Sequence, residues 1–366
     1  MTVVLYGATG YTGALVTDEL VRRGAPFVLA GRNRDKLERV SAERGRGARV
    51  AVASVDEPDS LRRLLDEARV VINCAGPFTL AGEAVVRAAV DTGTHYVDST
   101  GEQTYIRMVF ERLSAEAERR GVALVPAMGF DYMPGDCIAR LAAQGREPLE
   151  ALTLAYSVKG FGMSRGTMRS GLEMMKGGDL VYENGDWRPA GLGVFRASFE
   201  FPPPIGQQAM ARYPSGEVIT VPRHTRTRRV DSMITARTVA PGPLAPVLPF
   251  LRPGLAVALR TPLRRALGRA TEFLPEGPSE EERRAAEFTI VAEARGEDGG
   301  VCRGIVRGSD VYGLTAVTLV HGAELMWADG YDRSGALGPA AAYDPEKFLS
   351  YLTGHGVSWE LQRPAA

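Results

Sequence analysis

The sequence predicts an α/β protein in which a doubly wound parallel sheet carries an inserted α+β region. Three observations lead there. The chain starts with a strand that breaks at glycines into a helix, VVLYGATGYTG at 3–13. Strand-like and helix-like stretches then alternate with short links as far as Ala143, the order of a parallel sheet covered on both faces. Beyond Ala143 the alternation gives way to period-two runs and turn-rich stretches, so a region of different architecture follows.

Size and composition set the bounds. A chain of 366 residues suggests two domains. Lys plus Arg equals Asp plus Glu at 44 each, so nothing draws the protein toward nucleic acid. Cys74, Cys137 and Cys302 are far apart and odd in number, which argues against a disulfide framework and suits a reducing cytoplasm, the expected location. Four scattered histidines make a metal site unlikely on this reading, and none is expected. The first strand starts at once, leaving no room for a secretion signal, and no run approaches the roughly 20 apolar residues of a spanning helix.

The opening stretch carries the chemistry. A helix that begins at a glycine turn, here Tyr11 to Arg23, leaves its first N–H groups and positive dipole end facing outward, a ready site for phosphate. Gly7 suits the tight turn, Gly10 lets a pyrophosphate approach the backbone, and Gly13 lets the helix pack on the strand. A bare GxxGxxG is weak evidence; its place between strand and helix gives it weight and makes the fold Rossmann-type. The second strand, PFVLA at 26–30, ends at Gly31, Arg32 and Asn33, where the adenosine ribose is met. An NAD enzyme usually has a carboxylate there. Arg32, with Asn33, Arg34 and Lys36 behind it, instead suits a ribose phosphate, so the expected cofactor is NADP(H).

Ala48 to Ala53 is a third strand leading to Asp56, which either meets the adenine amino group or caps the helix starting near Asp59. The fourth strand, Ala68 to Asn73, runs into Cys74, Ala75, Gly76, Pro77 and Phe78, where the nicotinamide half should lie. Cys74 has no sequence-local activator and reads as a small buried hydrophobe. Helix Leu80 to Thr92 precedes a strand around His95 to Val97 and the polar run Asp98 to Glu102. A sixth strand, Val122 to Pro126, leads to Asp131 and Tyr132, with Gly135 and Asp136 as turn and cap for a helix through Leu141. The catalytic candidates are Tyr132, with His95 and Asp98 as alternatives, and Asp98, Glu102 or Asp131 to orient His95 or a water; for any single one, capping or packing is the stronger explanation.

Past Ala143, Leu149 to Val158 reads as a half-exposed strand. Lys159, Ser164, Arg165 and Thr167 form either an anion grip before the helical GLEMMKG or a solvated loop. Two strands, EVITV and DSMITARTV, flank PRHTRTRR, a basic run too short and isolated for nucleic acid. Residues 241–270 suggest two short amphipathic helices broken by prolines, covering a substrate pocket or resting on a partner or membrane surface. Glu276 to Arg284 reads as a solvated link, and Phe288 to Arg295 with Val301 to Arg307 as a hairpin. Helices at Thr315 to Ala328 and Asp344 to Leu352, then a strand at Val357 to Leu361, end the chain. The expected domains are a nucleotide-binding domain at 1–143, an inserted substrate or dimerisation domain at 144–310, and a segment 311–366 returning to the first.

These motifs, with AGR at 30–32, NCAGPF at 73–78, HYVDSTGE at 95–102 and PAMGFDYMPGD at 126–136, resemble the saccharopine dehydrogenase-like oxidoreductases. Within them the chain looks most like the actinobacterial trans-acting enoyl reductases. The resemblance is strong over 1–140, recurs at 311–340, and is thin between. It implies that Gly7, Thr9, Gly10, Tyr11, Thr12 and Gly13 hold the NADPH phosphates and Arg32 the ribose phosphate. It places Asn73, Ala75, Gly76 and Pro77 beside the nicotinamide. It also implies an inserted substrate domain and, often, a homodimer. The leading expectation is an NADPH-dependent reductase of an activated C=C bond in a polyketide-like intermediate, free or delivered by a carrier or synthase. The alternatives are an imine reductase or amino-acid dehydrogenase and a non-catalytic NADP-binding regulator.

Overall fold

The computed structural model describes residues 2–177, 179–191, 196–239 and 275–363. The chain forms two compact units, one of Met1–Met133, Ser164–Ser170 and Tyr312–Tyr343, the other of Pro134–Met163, Gly171–Val311 and Asp344–Ala366.

Six strands of the first unit are β1 (Thr2–Tyr6), β2 (Phe27–Gly31), β3 (Arg49–Val52), β4 (Ala68–Asn73), β5 (His95–Asp98) and β6 (Ala123–Val125). With the two-residue strand Gly335–Ala336 they make a seven-stranded sheet in the order Gly335–Ala336, β6, β5, β4, β1, β2, β3. Every pairing is parallel. The helices α1 (Tyr11–Arg23), α2 (Arg34–Glu43), α3 (Pro58–Leu65) and α4 (Phe78–Thr92) link β1 through β5; α5 (Gln103–Met108), a π-turn and α6 (Ser114–Arg119) lead to β6. Parallel strands covered on both faces need continuous apolar runs, and Val70, Val71 and Ile72 of β4 are fully buried. The chain winds from β1 outward to β3, then returns to the other side of β1 at β4. The switch point, where such sheets bind ligands, therefore lies at the carboxyl ends of β1 and β4.

The second unit contains α7 (Met133–Ala143), apart from its first residue, and a mixed sheet. Its strands are β7 (Leu149–Lys159), β8 (Leu180–Glu183), β9 (Asp186–Pro189), β10 (Ser198–Phe201), β11 (Gly206–Arg212), β12 (Arg229–Thr235), β13 (Glu287–Gly296), β14 (Val301–Ser309) and Ser358–Gln362. The path runs β10, β11, β12, β7, β13, β14, Ser358–Gln362, with the β8–β9 hairpin attached to β12. The fold is thus the Rossmann-type sheet with an α+β insertion.

Several local expectations need correction. β7 is not half-exposed: β12 and β13 flank it, and Leu152, Leu154, Ala155 and Tyr156 are buried. EVITV is a helix, Glu217–Thr220, followed by a 3-10 turn, Val221–Arg223, because a five-residue apolar run carries no decisive period. DSMITARTV is a strand only to Thr235 and then turns helical. The charged link holds a helix, Glu280–Ala285, started by a capping box between Ser279 and Glu282. The last segment divides: 312–343 joins the first unit, but 344–366 joins the second, where Ser358–Gln362 pairs with β14. The basic run is taken up internally: Arg223 stacks over Trp187 at 4.8 Å, while His224, Arg228 and Arg229 meet Asp136, Glu297 and Asp231. The stretch 241–270 lies outside the described residues. Among those described, no helix is long and apolar enough to cross a membrane, and no cluster of His, Cys, Asp or Glu could hold a metal ion.

Candidate active site

The three glycines after β1 are not equivalent. Gly7 has φ +84° and faces the β4 turn so closely that a Cβ would sit 2.7 Å from the Ala75 nitrogen. A Cβ on Gly13 would collide with the Gly7 carbonyl oxygen and approach Ala8 Cα at 2.9 Å. The fold itself demands both glycines. Gly10 is exposed, with φ −86° and ψ 167°, and a Cβ there meets only the Gly7 oxygen at 3.5 Å, an ordinary contact. Nothing among the described residues requires glycine at this position. Gly10 is the N-cap of α1, with no side-chain cap and no acidic residue in the first turn, so its positive end is open to an anion.

The other helix end at the switch point is closed. Glu102, buried, accepts the Phe78 and Thr79 N–H groups at 2.8 Å each and also the Thr79 hydroxyl. Its carboxylate thus occupies the N-terminus of α4, whereas that of α1 has no side-chain cap.

At the ribose edge, Arg32 follows β2 directly and is exposed. Arg32 and Asp56 both act on Tyr6, whose phenol is raised mainly by burial and donates to the Ala53 carbonyl at 3.3 Å. Asn33 uses its side-chain oxygen to cap α2, accepting the Lys36 N–H at 2.9 Å, so its amide NH2 and backbone are what it could offer a cofactor. Asp56 does not cap α3: Glu57 stands at the N-cap, and the exposed Asp56 carboxylate only meets the Ser54 hydroxyl, at 3.4 Å.

The turn after β4 is held by buried polar groups. Asn73 Oδ1 accepts the Ala75 N–H at 3.0 Å, and its Nδ2 donates to the Tyr96 hydroxyl at 3.0 Å. That hydroxyl donates to Asp98 Oδ2 at 2.8 Å and lies 2.8 Å from the Tyr105 hydroxyl. Asp98 Oδ1 accepts from Thr100 N at 2.9 Å and Ala127 N at 3.0 Å. The latter bond anchors a residue at φ +64°, a conformation that costs a non-glycine residue about 1–2 kcal/mol. Burial raises Asp98 to about 7 against the pull of its three hydrogen bonds. Burial and Asp98 together push the Cys74 thiol up, away from the thiolate a nucleophile needs.

The structure brings Asp98 and Tyr132 to one loop cluster, but not His95. Tyr132 is buried against Gly101, donating to its carbonyl at 3.3 Å. His95 opens β5 rather than closing it, three residues from the carboxyl edge. Its Nδ1 accepts the Ala123 N–H at 3.0 Å and its ring meets Tyr331 edge-on. Burial, then Arg69, lowers it to about 4, so the ring is neutral near pH 7.

Sequence reasoning missed a wall contributed from far along the chain. Ser170 donates to Glu102 Oε1 at 2.7 Å, and a Cβ on Gly76 would lie 3.3 Å from the Ser170 oxygen. Tyr312 packs edge-on against Tyr11, and its hydroxyl accepts the Ser164 N–H at 2.8 Å and meets the Thr167 hydroxyl at 2.9 Å. Ser164 in turn accepts the Thr167 N–H at 3.1 Å, capping α8 (Arg165–Gly177). The S-x-x-T spacing was the available signal.

Comparison with known proteins accords with this geometry. Residues 3–125 match the saccharopine dehydrogenase NADP-binding domain. A saccharopine dehydrogenase-like oxidoreductase of Bos taurus is 24% identical, with 98% of this chain and 96% of that protein aligned. The chain is thus similar to the saccharopine dehydrogenase-like oxidoreductases, by the domain match over its first third and at low identity over nearly its whole length. A protein of Mycobacterium tuberculosis, provisionally named a trans-acting enoyl reductase, is 34% identical over 47% of this chain and 44% of its own length. The solved saccharopine dehydrogenase (L-Glu forming) of Saccharomyces cerevisiae superposes with a TM-score of 0.61 over 99% of both chains at 12% identity, a likeness of fold. The chain is an NADP(H)-dependent oxidoreductase, and the open α1 terminus, the uncrowded backbone at Gly10 and the exposed Arg32 fit that cofactor.

Proposed function

We propose that this enzyme uses NADPH to reduce a polarised double bond at the carboxyl edge of the seven-stranded sheet, and that the bond is the C=N of an amino-acid-derived imine. The space above Gly10 carries the cofactor half of this reading: Gly7, Thr9, Gly10, Tyr11, Thr12 and Gly13 would cradle the pyrophosphate. Arg32 would hold the 2′-phosphate, with the Asn33 backbone and Asp56 at the same edge. With the adenosine held toward β2, the nicotinamide half would reach β4, where Asn73, Cys74, Ala75, Gly76 and Pro77 would border it. When bound, NADPH supplies the hydride.

The chain's own groups do the rest. The α1 dipole offsets phosphate charge, and Asn73 fixes the turn against which the ring would rest. Tyr132 is our choice for proton delivery, through its hydroxyl at Gly101. Asp98 is assigned to holding the loops. The C=N choice is supported by a family likeness that spans nearly the whole chain, whereas the enoyl-reductase likeness spans under half.

A second reading, reduction of an activated C=C bond in a polyketide-like chain, free or carrier-bound, is favoured by one observation. Leu80 on the first turn of α4 is 66% exposed beside a helix end that Glu102 has closed to substrate carboxylates. The test is NADPH consumption with amine and oxo-acid pairs against enoyl thioesters. Turnover with imine-forming pairs is expected; turnover with enoyl thioesters alone selects the second reading, and none with either refutes both.

A further inference from the structure

Glu102 is engaged more heavily than a helix cap requires. Two oxygens receive four donors: the Phe78 N–H and the Ser170 hydroxyl on Oε1, the Thr79 N–H and hydroxyl on Oε2. The donors come from two separate stretches, the start of α4 just after the Asn73–Pro77 turn and the first turns of α8. Only the first follows from the order of the Rossmann elements; α8 lies beyond the sixth strand and reaches the same unit through residues 164–170. Gly76 faces the Ser170 oxygen, so the hydroxyl sits against the turn that borders the nicotinamide position.

We propose that Glu102 and Ser170 form a latch that positions the Asn73–Pro77 turn against the nicotinamide ring, both acting as positioning residues. Asn73 fixes this turn from the sheet side, through Ala75 and Tyr96. The latch fixes it from the opposite end, at Phe78 and Thr79. A turn pinned at only one end can shift by fractions of an ångström without loss of fold, and such shifts misplace the ring without touching the pyrophosphate site at α1. The inference rests on the cofactor half of the proposed function and is independent of the substrate.

Ser170→Ala is the sharper variant, since it removes one hydroxyl from a half-buried position. Glu102→Gln is isosteric but turns an amide NH2 toward groups that are themselves donors. The experiment is titration with NADPH alone, reading the dissociation constant and the shift and enhancement of nicotinamide fluorescence. Ser170→Ala should keep the dissociation constant within about threefold while losing most of the fluorescence change, and Ser170→Thr should restore it. With a substrate in hand, kcat should fall by about 10–100-fold with KM for NADPH nearly unchanged, the signature of a misoriented reactant. A fluorescence response identical to wild type in Ser170→Ala overturns the latch. So does a loss confined to melting temperature, which marks a purely structural bond. If the wild-type protein itself fails to bind NADPH, the cofactor reading falls and the latch with it, an outcome distinct from either.

Discussion

Replacing Gly10 separates the demands of the fold from those of the ligand. A Cβ at Gly10 meets nothing nearer than the Gly7 oxygen at 3.5 Å, and its φ of −86° is open to any residue. Gly10→Ala should therefore change stability by no more than the difference between two N-cap residues, under about 1 kcal/mol. The added methyl group points into the space a pyrophosphate would use. If it displaces one charge-assisted N–H to phosphate bond, the loss is about 1.5–3 kcal/mol, or roughly 10–150-fold in the dissociation constant. Gly10→Val should lose more. Gly13→Ala is the contrasting control: its Cβ collides with the Gly7 carbonyl oxygen, so the protein itself should be destabilised. Melting without ligand and titration with NADPH measure the two effects separately. Native melting with unchanged NADPH affinity in Gly10→Val would refute the assignment of this loop; loss of folding in Gly10→Ala would refute the reading of its surroundings.

Other outcomes follow from the same geometry. Arg32→Asp should weaken NADPH binding by about 10–100-fold while leaving NADH nearly unaffected, and equal affinities in the wild-type protein would contradict the ribose assignment. Asp98, at about 7 and facing Tyr96, Tyr105, Cys74 and Glu102, holds its proton more tightly folded than unfolded. Its contribution is therefore fully present below the usual carboxylate range and is lost as pH rises through about 7; melting of Asp98→Asn should lack that decline, and an unchanged slope would count against it. Tyr132→Phe should lower kcat by about 10²–10⁴ if it delivers the proton, whereas His95→Gln should leave the pH profile above 5 unchanged; the reverse pattern would exchange their roles.

The fold was legible where one physical rule governed. In the first unit, each strand is a short apolar run and each link is short, so period and punctuation agree. In the second unit they do not. EVITV is rich in β-branched residues, yet tertiary burial makes it a helix preceded by Gly216. The capping box at Ser279 and Glu282 was readable, but the surrounding charge drew the stretch toward a solvated link. β8 and β9 pair across Asn184-Gly185, a hairpin signal within reach of the sequence, and β10 pairs with the adjacent β11; what no local period announces is that both pairs join β12.

The candidate site shows a different limit. Glycine spacing located the cofactor loop, but sequence could not say which glycine the fold required; that took the distances from Gly7 and Gly13 to their neighbours. Polar residues near strand ends were read together as one chemical cluster, though the fold uses them for separate purposes. Strand register sends His95 to the amino end of β5, and Asp98 spends its acceptors on Tyr96, Thr100 and Ala127. Glu102, in the same run, reads in the sequence with Asp98 and Asp131 as a group to orient His95 or a water, but its partners start another helix and come from position 170. A buried carboxylate that receives four donors is fixed in place by them. Its part is to hold two stretches of chain together, and the proton delivery proposed above is left to Tyr132, whose hydroxyl donates to the Gly101 carbonyl on the neighbouring loop.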